Sequence, residues 1–312
     1  MEDVYGLGVL ETPLQASPWL HHFSGEEGGG SVHLKLESSQ VSGSFKARGA
    51  AHKLLSISPD QLRVTCSSTG NHALGVLHAA TALTAAGRPV DLTIYIPSTV
   101  TPQKIAKLEA AAAKCGAKII IVGQDCVESE SAARAAAEAE GKIYVSPYND
   151  AAVAGGQGTL AVEILMALPP NKLDAVFVPV GGGGLIAGVA ALIKSIDPQV
   201  KIYGCQPEVS DVMRRSIEAG TVVDLQWQET LSDATAGGIE KGAITVDACR
   251  QFVDEWITVS EPQIAAAMVG IHGHHGVAIE GAAGVAVASY IKIAEEQMRG
   301  KHAIVVVCGG NV

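Results

Sequence analysis

The chain has 312 residues, enough for two lobes or one large α/β unit, and 47% of them are apolar. With 35 glycines and only 4% aromatics, its core has to be built from Ala, Val, Ile and Leu, a composition suited to helices packed closely on a parallel sheet. A net charge of -10 argues against a nucleic-acid partner. The lack of an 18-residue apolar run and the acidic start MEDVYGLGVLETP argue against a membrane span or signal peptide.

In chain order, SGEEGGG (24–30) reads as a surface hairpin or loop, followed by a strand over 32–37 (VHLKLE). Next comes SGSFKARGA (42–50), where Lys46 stands one turn into a helix among Phe45, Ala47 and two glycines. A surface lysine normally has charged neighbours, so small-residue company suggests an amine that is approached closely. Strands over 63–67, 91–97, 118–123 and 142–146 then alternate with helices over 71–87 and 101–116. A helix over 155–169 leads to strands over 175–180, 201–207, 256–260 and 303–308. Gly87, Gly116 and Gly141 each end a helical pattern. The alternation predicts βαβ units in two lobes, each with a mostly parallel sheet flanked by helices. The strand distribution places a smaller lobe at 56–148 and a larger one at 1–55 with 149–312. Six scattered cysteines without a CxxC pair suit reduced thiols, and so a cytoplasmic protein.

Three further stretches carry chemistry. In VPVGGGGLIAG a strand runs into Gly181, Gly182, Gly183 and Gly184 and then an apolar helix, a backbone cradle for a phosphate at a helix start. Leu185-Ile186 stands where a P-loop needs Lys-Ser/Thr, and Ala187 breaks the dinucleotide spacing, so a phosphate without a nucleotide fits better. In SSTGNHALG a strand ends at Ser67 and a helix begins near Asn71, which suits either a substrate carboxylate or a plain cap. In VVVCGGNV a buried strand delivers Cys308, core filler or ligand, to a glycine pair. An amine able to form a Schiff base, a phosphate cradle and a carboxylate site together point to pyridoxal 5'-phosphate acting on an amino acid.

With these motifs in this order, from ETPLQASPWL through GGQGT (155–159) to CGGNV, the chain resembles the fold-type II pyridoxal phosphate enzymes, the tryptophan synthase β-like fold. Within them it is most similar to the threonine/serine dehydratase and serine racemase group. The resemblance implies that Lys46 is the cofactor lysine and that Phe45 packs on the pyridine ring. It implies that Asn71 bonds the ring hydroxyl, Gly181–Gly184 hold the phosphate and Cys308 faces the ring nitrogen. Ser68, Thr69, Asn71 and His72 then form the substrate carboxylate loop, which the small, mobile lobe carries, with Thr69 as a further catalytic candidate. A thiol, with an ordinary pKa of about 8.5, does not keep a ring nitrogen protonated as a carboxylate would, which favours β-elimination over transamination.

The implied activity is an ammonia-lyase on L-threonine and/or L-serine, in a homodimer. A serine or hydroxyaspartate racemase, or a dehydratase of the 3-hydroxyaspartate or hydroxyectoine type, is the alternative. Thr69 replaces the second-face serine of the racemases, and Gln206 and Val212 replace their metal ligands, so no metal is expected. Nearby Glu208 and Asp211 are the available substitutes. No regulatory domain is expected after Val312. HGHH (272–275) reads as a helix in contact with a neighbour. Glu280 is either a cap or part of the site wall, and Asn149 orients the cofactor or a hinge.

Overall fold

Ten strands form among the described residues, which are 2–25, 29–169, 172–226 and 228–312 of this computed structural model. They are β1 (Leu14–Ala16), β2 (Ser31–Leu36), β3 (Arg63–Ser67), β4 (Asp91–Ile96), β5 (Lys118–Ile121), β6 (Ile143–Tyr144), β7 (Ala175–Pro179), β8 (Lys201–Pro207), β9 (Glu255–Val259) and β10 (His302–Val307). The expected strands all form, within a few residues at their ends. The short edge strand β1 has no clear signature in sequence, because three residues are too few for an alternation. The loop expected at 24–30 lies partly outside the described residues.

The chain divides into two units. Met1–Leu10 with Lys46–Gly156 form the first, and Glu11–Phe45 with Gln157–Val312 the second. This differs from the expected division at 56 and 148. The helix Lys46–Ser56 buries Ala47, Ala50, Ala51 and Leu54 in the core of the first unit with Ala73, Val76 and Leu77. Val4, Leu7 and Val9 join the same core.

In the first unit the sheet order is β5-β4-β3-β6, parallel throughout. The helices Lys46–Ser56 and Asn71–Ala85 meet closely at Gly75. A side chain there would put its Cβ 2.9 Å from the Lys46 carbonyl.

The second unit has the order β1-β2-β10-β7-β8-β9, parallel except for β1. Its central strands are β-branched and buried on both faces, as parallel sheets require. The helix Gly281–Gln297 runs GAAGVAVASY through its buried part, small enough to lie against the sheet. Tyr203 stacks on Phe177 at 4.5 Å, and Tyr290 meets the same ring edge-on.

Candidate active site

Lys46 opens its helix, and its Nζ donates to the carbonyl of Pro147 at 2.7 Å. β3 ends at Ser67, and the turn Ser68-Thr69-Gly70 leads into the helix Asn71–Ala85. The Gly70 N–H donates to Ser68 Oγ at 3.2 Å, which shapes the turn. In the first turn of any helix the backbone N–H groups have no carbonyl ahead of them, so this loop offers donors to an anion.

His72 takes a different position from the one expected of a carboxylate ligand. Its ring is buried, and Nε2 lies 2.9 Å from the Val145 carbonyl. Burial, with the Lys46 charge adding to it, pushes the imidazole down to about 3, so it is neutral near pH 7. What His72 can offer an anion is its backbone N–H.

In the second unit β7 ends at Pro179 and the tetraglycine turns into the helix Gly184–Ile196. Gly183 is its N-cap with φ +85, and a Cβ there would lie 2.7 Å from Met213 Cε and 3.0 Å from Thr245 Cβ. A Cβ on Gly181 would lie 2.9 Å from Thr235 Cα. Thr245 Oγ1 donates to the Gly182 carbonyl at 2.7 Å, securing the loop from behind. The walls are filled by neighbours, the backbone is bare and a helix begins at the loop. That arrangement fits the phosphate of pyridoxal phosphate.

Cys308 follows β10 and is buried, and its carbonyl accepts the Phe45 N–H at 3.0 Å. The adjoining Ser44 and Gly309 form a bridge, and the Asn311 amide donates to the Ser42 carbonyl at 2.8 Å. The chain end thereby fixes the loop that leads into Lys46. Glu280 makes no capping bond to its own helix. Its Oε1 accepts the Asn311 N–H at 2.8 Å, which makes it a wall of the Cys308 turn.

Gln206 donates to the Val180 carbonyl and accepts the Arg214 N–H, so both ends of its amide are engaged. Asp211 is held by Arg214 and Arg215. Among the described residues no cluster of metal-ligating side chains forms. His275 bonds Ser17 and Trp19 stacks on His274 at 5.0 Å, so HGHH holds one helix against another. Asn149 donates its N–H to Ser146 Oγ at 3.0 Å.

Sequence reasoning missed Pro147, Thr235, Thr245 and Asn311. A backbone carbonyl leaves no mark in sequence, and the two threonines lie far along the chain from the loop they support. Only Asn311, directly after a glycine pair, had a local signal.

The sequence pattern of the pyridoxal-phosphate dependent enzymes matches residues 6–309. An L-threonine ammonia-lyase of Thermotoga maritima is 37% identical over 287 residues, covering 91% of this chain and 68% of the relative. Among solved structures, the processed form of threonine deaminase isoform 2 from Solanum lycopersicum superposes with a TM-score of 0.87 at 30% identity, covering 99% of this chain and 86% of that one. Maize serine racemase superposes with a TM-score of 0.85 at 27% identity, covering 99% and 94%.

Proposed function

The chain belongs to the pyridoxal-phosphate dependent enzymes, in their fold-type II branch, and on that premise we propose that it is an ammonia-lyase. It converts L-threonine and/or L-serine to 2-oxobutanoate or pyruvate and ammonia by β-elimination. The relatives named for threonine ammonia-lyase and threonine deaminase support this reading. The single observation that carries it furthest is a lysine amine 2.7 Å from a backbone carbonyl, at the start of a helix packed at Gly75 against the helix that follows the SSTGN turn.

When bound, the cofactor supplies an aldehyde that condenses with amines and a ring that spreads charge from the substrate α-carbon. In this reading Lys46 Nζ would hold the aldehyde, and the same amine is the base for the substrate α-proton. The Pro147 carbonyl accepts an N–H of that amine at 2.7 Å. Phe45 would pack on the ring and Asn71 would bond its hydroxyl. The backbone of Gly181–Gly184 would bind the phosphate, and the Cys308 thiol would face the ring nitrogen without keeping it protonated as a carboxylate would. Ser68, Thr69, Asn71 and the His72 N–H receive the substrate carboxylate. Thr69 is the residue on which any racemase activity depends, since it takes the sequence position at which the racemases have serine. The protein works in the cytoplasm as a homodimer.

Lys46→Ala should abolish both the visible absorption of bound cofactor and the release of 2-oxo acid from L-threonine and L-serine. Turnover that survives this substitution overturns the assignment of Lys46. Chiral analysis of residual serine separates lyase from racemase, since D-serine forming faster than pyruvate reverses the order of the two activities.

A further inference from the structure

His72 stands at the helix start beside Asn71, yet its ring serves neither capping nor anion binding. His72 is 3% exposed, and its Nε2 is 2.9 Å from the Val145 carbonyl. A carbonyl oxygen only accepts, so Nε2 carries the proton. Two residues further on, the Pro147 carbonyl takes the Lys46 amine at 2.7 Å. Proline has no N–H with which to anchor the segment at that point. The segment is gripped on either side instead. The Val145 N–H donates to the Thr65 carbonyl at 2.8 Å, the Val145 carbonyl receives His72, and Ser146 Oγ accepts the N–H groups of Tyr148 and Asn149. The ring stays neutral well below neutral pH because it is buried, so it is a standing donor that adds no charge beside the lysine.

We infer that His72 is a positioning residue for Lys46: through the Val145 carbonyl it sets the place of the Pro147 carbonyl that receives the lysine amine. This rests on Lys46 being the reactive lysine. A lysine amine on a flexible four-carbon stem needs such an acceptor to keep its lone pair aimed in one direction. A substrate carboxylate held by loop N–H groups does not need it. Loss of the imidazole donor therefore slows the chemical step and spares substrate binding.

His72→Leu removes the donor at similar volume, and His72→Gln returns an amide N–H near the place of Nε2. His72→Leu should lower kcat by about 10- to 100-fold with KM changed less than about threefold, and His72→Gln should recover most of that loss. Two readouts do not depend on turnover. In the full wild-type chain, long-range proton–nitrogen correlation spectra should show the His72 ring neutral with its proton on Nε2 down to about pH 4. Acetylation of Lys46 by acetic anhydride, followed by peptide mass spectrometry, should change severalfold in rate in His72→Leu. The inference falls if Lys46→Ala is inactive while His72→Leu keeps wild-type kcat and Lys46 acetylation. It also falls if the wild-type ring is charged or carries its proton on Nδ1, a result that does not require either variant to fold. Turnover surviving Lys46→Ala would instead remove the reading of Lys46 on which the inference stands.

Discussion

Lys35 and Glu163 sit inside the second unit, with side chains 2% and 3% exposed and 2.5 Å between Nζ and Oε2. The same Nζ donates to the Thr12 carbonyl, the Thr12 N–H donates to Glu163, and the Thr12 hydroxyl donates to the buried Glu37. A network of this kind adds little net stability when complete, but breaking one member leaves a charge in a dry interior. Glu163→Gln should lower unfolding stability by about 3–5 kcal/mol, read as a lower urea midpoint at unchanged slope. His72 teaches the same lesson at the other site. Its place in SSTGNHALG suggests a ligand to an anion, while its burial and its carbonyl partner make it a fixed neutral donor. Neither fact can be read from neighbouring residues, because the partner carbonyl is 73 positions away.

At the scale of the element, the tetraglycine is a strand-to-helix turn with two separate demands on it. Gly183 has φ +85, where a side chain is strained, and the space beyond it is occupied by Met213, Thr245 and Cys249. Gly183→Ala should weaken cofactor retention at least about tenfold, measured by spectral titration, and lower the unfolding temperature. Gly238→Ala is the matching control. Nothing lies within 4 Å of its added Cβ, and stability should stay within about 0.5 kcal/mol of wild type. The glycine run itself was plain in sequence. The threonines that press on it were not, since Thr235 and Thr245 come from a segment whose own pattern marks no site.

For the whole molecule, the proposed assembly is two copies. Light scattering on the cofactor-loaded protein should give twice the chain mass, and a fully active species of single-chain mass would overturn the homodimer. Dilution through the dissociation range should lower activity and unfolding temperature together, as mass action requires when association and folding are linked.

The sequence by itself determined the alternation of strands and helices, the parallel sheets, the lysine among small residues and the glycine turn. Each of these is a local pattern, set by β-branched runs, helical spacing or the conformational freedom of glycine. Only the tertiary structure decided that the helix beginning at Lys46 belongs with the first unit, because Gly75 lets it approach the helix Asn71–Ala85. It also decided that β10, the last strand in the chain, lies between β2 and β7, and that a backbone carbonyl at Pro147 meets the lysine amine 101 residues before it. Such contacts join residues far apart in the chain, often through backbone atoms that every residue shares. No side-chain pattern announces them until the chain has folded.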